Sequence, residues 1–270
     1  DGGVFVSDFS DTGECHHRVN TRKHTGRIYK ITYGKPKPWR GDINKLKNTE
    51  LAALQLHDND WFVRHARRVL HERLDYAHKI WAPFSPDPEE NHAAWRRHRL
   101  NRFHEVDPLL KKQLAEHKSV PKRLRALWAL YVTEGIEPLG LMELFKDPNE
   151  HVRAWAIQLF MDDIRIAKGG VALLTQLAKN DKSPLVRLYL ASAAQRVPVK
   201  LRAPLLKALL AHGEDVNDPN LPLMYWYAAE PVVVADPKMG VQLLAACKLP
   251  KVRQFITRRM ATGREASESK

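Results

Sequence analysis

One short pattern recurs along this chain and constrains its fold more than any other feature. An aspartate is followed, six residues later, by an arginine that comes directly after a valine. The three complete copies are Asp58 with Arg64, Asp147 with Arg153, and Asp181 with Arg187. Each copy is flanked by stretches with the apolar spacing of an amphipathic helix. The pattern therefore predicts helical hairpins, with the Asp in the turn and the Arg at the start of the second helix.

Degenerate copies extend this pattern through most of the chain. They are Leu124-Arg125, Leu223-Met224 and Val252-Arg253. From residue 124 onward, successive copies lie between 28 and 37 residues apart. A period in this range is typical of stacked helical hairpins that bury a continuous core between neighbours. We therefore predict an all-α fold, an α-solenoid of about six helical hairpins over residues 48–262.

The remaining segments have other patterns. Residues 1–34 contain two alternating stretches joined by a polar loop, which predicts a β-hairpin. A lone hairpin is only marginally stable in water, so we expect it to belong to a larger sheet and the chain to be a piece of a longer protein. Residues 35–47 form a basic, proline-rich linker. We expect an insertion of loop and extra helix at 74–106 and a disordered tail at 263–270.

The charge balance is strongly positive. The chain has 44 Lys and Arg against 31 Asp and Glu, a net charge of +13. Such an excess suits a nucleic acid, an acidic membrane surface or an acidic protein, and composition alone does not choose among them. No apolar run approaches the roughly 18 residues of a membrane-spanning helix, so no transmembrane segment is predicted.

The segment SDTGECHH places a cysteine before two histidines. Covalent attachment of haem c needs a second cysteine three residues earlier, and Thr12 occupies that position. Zinc or copper bound by Cys15, His16 and His17 is chemically feasible. Consecutive residues of an extended chain point in different directions, however, which favours a simple loop. We predict no bound metal and no cofactor in this chain, with this loop as the metal alternative.

The arginines of the repeats allow two interpretations. They form either a row of phosphate-binding groups along a concave face or an internal Asp–Arg ladder, and the aspartates favour the ladder. The residues concerned are Arg64, Arg125, Arg153, Arg187 and Arg253.

A second basic stretch interleaves arginines with Trp95 and Phe103, the pattern of nucleic-acid contacts and also of an amphipathic helix with a solvated basic face. We treat it as a candidate interaction surface. Its arginines are Arg96, Arg97, Arg99 and Arg102.

The aromatic clusters of the repeats, Trp128 with Tyr131 and the run Tyr225 to Tyr227, are expected in the core. The chain has no HExxH, GxSxG, GxGxxG or P-loop motif, and no catalytic residue is predicted.

At the Asp-x-x-x-x-Val-Arg turn, the chain resembles HEAT-repeat proteins over residues 48–262. The resemblance implies a right-handed superhelix in which Arg reaches a turn Asp, forming a ladder between repeats. An aspartate near a helix N-terminus and a forked Arg pair are both physically favourable. The repeats are shorter than the usual 40–47 residues of HEAT, and so resemble the short bacterial type.

Residues 1–34 carry a second resemblance, through DGGVFVSDFSDTGECHH and TGRIYKITYGK. They resemble the last blade of the β-propeller in planctomycete-type proteins described as membrane-bound dehydrogenases. These combine a propeller like that of sorbosone or glucose dehydrogenases with HEAT repeats and often a c-type cytochrome domain. The resemblance implies a cell-envelope or periplasmic location, and haem c only in a domain outside this chain.

We therefore predict a non-catalytic scaffold that binds proteins or neighbouring domains of a larger dehydrogenase-like assembly. The alternative is a nucleic-acid-binding HEAT-like protein of the DNA-glycosylase type, which would use a basic concave face. The substrate of a parent enzyme, the partner and the oligomeric state are not encoded in any recognisable motif.

Overall fold

The structure, a computed structural model, describes residues 3–8, 26–35, 38–81, 88–162 and 168–268. These residues form thirteen α-helices and one antiparallel sheet of two strands. The predicted all-α fold with a small N-terminal β-hairpin is therefore confirmed.

The two strands pair in a register that puts apolar side chains opposite one another. Strand β1 (Val4–Ser7) runs antiparallel to β2 (Ile28–Ile31), with Val4 opposite Ile31 and Val6 opposite Tyr29. Because opposite residues share a face of a sheet, these four apolar residues lie on one face. Every residue of both strands is exposed. The hairpin thus buries neither face. Residues 9–25, which connect the two strands, are not among the described residues.

Twelve of the helices form six consecutive pairs, and α3 stands between the first two pairs. In chain order the helices are α1 (Asn48–Ala53) with α2 (Asp60–Trp81), then α3 (Pro88–Phe103), α4 (Val106–Glu116) with α5 (Val120–Val132), α6 (Pro138–Glu143) with α7 (Glu150–Phe160), α8 (Lys168–Asn180) with α9 (Pro184–Arg196), α10 (Ala203–Leu210) with α11 (Leu221–Ala235), and α12 (Pro237–Ala246) with α13 (Pro250–Glu268). The number of described pairs equals the number of hairpins expected from the period.

The second helices of the pairs contact one another in series, α2 with α5, then α7, α9, α11 and α13. Among the first helices, α1 contacts α4, and α10 contacts both α8 and α12. Sequential contacts within two layers give a helical, repeat-like architecture of the kind that an α-solenoid has. We call the exposed side of the α2, α5, α7, α9, α11 and α13 layer the second-helix face.

Polar caps and prolines fix where the helices begin. Asn149 Oδ1 accepts a hydrogen bond from His151 N at 3.0 Å, and Ser183 Oγ accepts one from Val186 N at 3.2 Å. Asp236 caps α12 in the same way, through Met239 N at 3.1 Å. Such caps satisfy amide groups that have no partner inside the helix. Polar side chains in the turns thereby set the start of α7, α9 and α12.

The apolar core is divided between two clusters that meet at α7. The N-terminal cluster contains Ile43 and Phe103, and the C-terminal cluster contains Tyr225. Helix α7 contributes Val152 to the first and Ile157 to the second. Because α7 contributes buried residues to both clusters, it connects the core of the N-terminal helix pairs with that of the C-terminal pairs.

Three segment boundaries differ from the sequence expectation. The end of the expected linker belongs to the fold, because Ile43 is buried and the Trp39 ring packs edge-on against Phe62 at 5.1 Å. The expected insertion begins inside α2, which continues to Trp81, and includes α3. Helix α13 continues to Glu268, past the expected end of the repeats at 262.

Candidate functional site

The described residues do not assemble a metal centre. No group of three or more His, Cys, Asp and Glu side chains comes close enough there to hold a metal ion. The candidate ligands Cys15, His16 and His17 lie outside the described residues. The other cysteine, Cys247, is buried, and burial raises the pKa of its thiol. A thiol in this state is a poor nucleophile at neutral pH.

An Asp–Arg ladder runs along the turns, but its pairs are not those that the six-residue spacing predicts. Arg153 donates to Asp181 of the next hairpin, with Nε–Oδ2 at 2.7 Å and Nη2–Oδ1 at 2.9 Å. Arg187 donates in the same bidentate way to Asp215. Each of these arginines touches the aspartate six residues before it only through that residue's backbone carbonyl, as for Arg153 Nη1 and Asp147 O at 2.9 Å. The ladder therefore joins neighbouring hairpins rather than closing each turn.

The first predicted pair, Asp58 with Arg64, is wrong in a different way. Arg64 Nε donates to Asp60 Oδ2 at 2.5 Å, one helical turn away. Asp58 accepts from Lys122 Nζ at 3.1 Å, and this hydrogen bond lowers the pKa of its carboxyl. The arginine of the second hairpin is also displaced by two positions, because Arg123, not Arg125, donates in bidentate fashion to Asp147.

A turn bond shared by five hairpins explains these displacements. In each, a side chain three residues before the first residue of the second helix accepts the backbone N–H of the residue two positions after it. Aspartate does this in the later hairpins and histidine in the first two; the acceptors are His57, His117, Asp147, Asp181 and Asp218. A histidine ring nitrogen has one lone pair and cannot accept a guanidinium fork. The pattern of Asp followed by Val-Arg therefore misses the turn residue of the first two hairpins, in which His occupies the position of the turn Asp.

The candidate basic surface on α3 is only partly buried, because Arg99 lies inside the fold while Arg96, Arg97 and Arg102 are exposed. Arg99 is buried and forms a fork with Asp107, with Nη1–Oδ2 at 2.5 Å and Nη2–Oδ1 at 2.6 Å, while its Nε donates to Thr133 O at 2.9 Å. Arg96 pairs with Glu137 at 3.0 Å. Arg97 and Arg102 are exposed. Half of the predicted surface thus anchors α3 to α4, α5 and the loop that follows α5.

The row of arginines considered for phosphate binding is also occupied. Arg125 donates to Asp60 and His57 O, and Arg253 donates to the carbonyls of Leu244 and Cys247. With Arg64, Arg153 and Arg187 paired as above, all five candidates contact an acceptor within the chain. An array of paired arginines has little capacity left for a phosphate backbone.

Aromatic side chains form a second, different row on the second-helix face. The Arg67 guanidinium lies over the Trp128 ring at 5.2 Å, and Trp128 meets Trp155 edge-on at 4.8 Å. Trp155 in turn lies 6.5 Å from the Tyr189 ring. These residues come from α2, α5, α7 and α9, and each is half-buried. We call Arg67, Trp128, Trp155 and Tyr189 the aromatic row.

The aromatic row ends at a groove between α7, α9 and α11. The groove has a volume of about 580 Å³. Its walls are mainly apolar, with Gln158, Arg196 and Asn220 among the polar residues at the margin. Its apolar lining includes Leu188, Tyr189, Leu223, Met224 and Tyr227. Tyr227 is 52% exposed, although the sequence placed it in the core. Concave, mainly apolar surfaces with a few polar groups are typical of ligand sites.

The expected core role is fulfilled by Tyr225 of the second aromatic cluster, and not by the two residues of the first. Tyr225 is fully buried and donates to Asp215 Oδ2 at 2.7 Å. Trp128 and Tyr131 are only half-buried, and Tyr131 OH donates to Asp162 at 3.2 Å. Sequence reasoning missed Arg67 altogether, because it lies outside the repeated motif and only the packing of α2 against α5 brings it to Trp128.

No family model and no curated protein matches the chain. None of the described helices is long and apolar enough to cross a membrane.

Proposed function

We propose that this chain is a non-catalytic module that binds a protein partner along its second-helix face. The observation that carries the proposal is the aromatic row, in which each side chain from Arg67 to Tyr189 contacts the next, and which ends at the apolar groove. Half-exposed aromatic residues are enriched at protein interfaces because they bury a large area at small entropic cost. A groove beside such residues suits an apolar side chain of a partner segment.

The finer identity is part of the same proposal. We propose a HEAT-type solenoid with a right-handed superhelix that serves as a scaffold in a larger dehydrogenase-like protein of the cell envelope. The Asp–Arg ladder between turns supports the HEAT assignment, and the doubly exposed hairpin is compatible with a sheet completed by other strands. Sequencing the reading frame around this segment tests it. Propeller blades upstream and a Cys-x-x-Cys-His box downstream are expected, and their absence would remove the dehydrogenase assignment.

The nucleic-acid alternative has less support. It relied on the five arginines of the repeats and on the basic stretch of α3. The five repeat arginines contact acceptors inside the chain, and Arg99 is buried. Base-stacking aromatics are present in the row, but a strand of nucleic acid also requires cations at intervals along its backbone.

Peptide selection followed by substitution tests the binding proposal. Random peptides displayed on phage are selected on the intact chain, and the affinity of the enriched peptides is measured. We expect Met224→Glu and Tyr227→Ala to weaken binding at least about tenfold, the usual loss at an interface hot spot. Val241→Glu is the matched control, because Val241 is 54% exposed on α12, a first helix. Failure to enrich any peptide, or equal loss in the control, would contradict the proposal.

A further inference from the structure

Arg67 has an unusual environment for an arginine at a surface. Among the described residues no carboxylate pairs with it. Its Nη1 atom is buried and has no hydrogen-bond partner in that part of the chain. Trp128 Nε1, the indole N–H of the ring beneath it, is also buried without a partner there. Both atoms are enclosed by the protein and out of a ligand's reach, so an incoming acceptor can approach Arg67 only through Nε and Nη2 of its half-buried guanidinium group.

The charges around Arg67 add to this imbalance. Arg64 and Arg125 share one carboxylate, because Asp60 accepts from Arg64 Nε at 2.5 Å and from Arg125 Nη2 at 3.2 Å. Asp60 is thus the carboxylate whose charge acts on Arg67 alongside two other guanidinium groups, while the nearby Asp58 accepts from Lys122 at 3.1 Å. Burial lowers the pKa of Arg67, the positive charges of Arg64 and Arg125 lower it further, and only the charge of Asp60 raises it. An added negative charge would relieve this repulsion.

We infer that Arg67, held against the Trp128 ring, is the binding site for a carboxylate carried by the partner, that of an Asp or Glu side chain in a peptide segment. This inference rests on the proposed function and specifies the chemistry of the partner. A carboxylate can accept two parallel hydrogen bonds from a guanidinium group. Because the row continues from Trp128 to Tyr189 and the groove, the acidic residue is followed by apolar side chains that lie along the aromatic rings.

The distribution of charge along the row favours an acidic peptide over nucleic acid. The positive excess is confined to the Arg67 end. At the other end Arg196 is paired with Asp162 at 3.0 Å, and Arg153, on the intervening helix, is committed to Asp181. A ligand with one localised negative charge and an apolar continuation matches this surface. A nucleic acid distributes its charges evenly along the strand.

A double-mutant cycle between protein and peptide tests the inference. One peptide selected on the intact wild-type chain is compared with its analogue in which each Asp or Glu is replaced by Asn or Gln. Affinities are measured for the wild type, Arg67→Gln and Arg97→Gln. On the wild type and on Arg97→Gln, whose arginine is exposed on α3, we expect the amide peptide to bind about tenfold more weakly. On Arg67→Gln the two peptides should bind within about twofold of one another, because the acceptor's partner is gone.

The outcomes separate this inference from the function on which it rests. Failure to select any peptide contradicts both. Two outcomes contradict only the carboxylate site, provided that the selected peptides bind and are weakened by Met224→Glu. In the first, the acidic peptide outcompetes its amide analogue by the same factor on Arg67→Gln as on the wild type. In the second, the selected peptides contain no acidic residue. A single-stranded oligonucleotide that displaces the peptide and loses its affinity in Arg67→Gln would assign the site to nucleic acid and overturn the inference. Arg67→Lys, with the Trp128 indole N–H resonance recorded during titration, provides the same test if Arg67→Gln does not fold. In Arg67→Lys we expect the peptide no longer to shift the Trp128 indole N–H resonance. A shift equal to that in the wild type would contradict the carboxylate site.

Discussion

At the residue scale, the ladder contains one fully buried polar group, which consists of Arg187, Asp215 and Tyr225. Asp215 accepts both the Arg187 fork and the Tyr225 hydroxyl, and each of the three residues is at most 3% exposed. Burial opposes the charge of Arg187, but the hydrogen bonds and charge of Asp215 outweigh it and raise the pKa of the guanidinium. The group joins the fourth and fifth hairpins, and its stability depends on the presence of all its members.

Removal of Asp215 should leave the Arg187 guanidinium buried with only the exposed Glu214, at 3.8 Å, as a carboxylate neighbour. We expect Asp215→Ala to lower the free energy of unfolding by roughly 3–5 kcal/mol. Glu214→Ala is the control, because Glu214 is adjacent but 59% exposed, and we expect a loss below about 1 kcal/mol. Urea unfolding measures both. The double variant Arg187→Met with Asp215→Leu should lose less than Asp215→Ala alone, and a larger loss would contradict this account of the ladder.

Tyr225 makes stability depend on alkaline pH. Burial, and then its hydrogen bond to Asp215 and the charge of that residue, raise the pKa of Tyr225 above its ordinary value of 10.0. The unfolded chain ionises near that value while the folded chain stays neutral, so the contribution is full below it and falls as the pH rises above it. Tyr225→Phe should reduce the slope of unfolding free energy against pH above pH 10, by up to about 1.4 kcal/mol per pH unit. Identical slopes in both proteins would contradict the assignment.

The sequence predicted the residues of the ladder better than their pairing. Asp147, Arg153, Asp181 and Arg187 all take part, but spacing along the chain does not show which aspartate lies opposite a given arginine in the next hairpin. Asp215 had no matching motif, since it lies in a short 3-10 turn, Gly213–Asn217. The position of Arg67 over Trp128 likewise depends on helix packing.

At the scale of elements, α3 shows how a basic helix can be structural. The Arg99 fork to Asp107 is joined by Trp95 Nε1, which donates to Glu134 at 2.8 Å. Glu134 has a left-handed backbone, with φ of 53°, at the end of α5. Next to it, a Cβ on Gly135 would lie 2.7 Å from Asp107 Oδ1, so only glycine leaves room for the fork. Sequence periodicity predicted a helix here and could not tell which of its faces was covered.

Two neighbouring arginines of α3 should differ sharply in their effect. Arg99→Ala leaves Asp107 buried without its partner, and we expect a loss of roughly 3 kcal/mol together with faster amide exchange in α3. Arg97→Ala should change neither quantity, because Arg97 is exposed. Hydrogen exchange followed by mass spectrometry compares the two variants. Equal protection of α3 in both would show that Arg99 does not hold the helix.

At the scale of the whole molecule, the hairpin and the helical layers differ in how much of their apolar surface is exposed. The helical layers bury their apolar residues in two joined clusters, whereas Phe5 is 66% and Ile28 77% exposed on the hairpin. The helix count and the six pairs followed from a local period that repeats in sequence. In repeat proteins a superhelix and its handedness depend on small rotations between pairs, which no single repeat encodes.

The exposed hairpin should make the chain associate in solution. Apolar faces and open strand edges are sites of self-association. Replacement of Val4 and Ile31 by threonine keeps the β-propensity and removes two apolar side chains from one face. We expect a smaller associated fraction in sedimentation velocity and an unchanged helical melting curve. Association that is unaffected by the substitutions would place the contact elsewhere on the molecule.

The binding face is the central claim, and methyl NMR of the intact chain tests it most directly. With a selected peptide added, we expect the methyl resonances of Leu188, Leu223 and Met224 to shift, because these residues line the groove. Those of Leu139 and Val241, exposed on α6 and α12, should stay in place. Shifts confined to α6, α12 or the hairpin, with the groove resonances unchanged, would contradict the claim that the partner binds along the second helices.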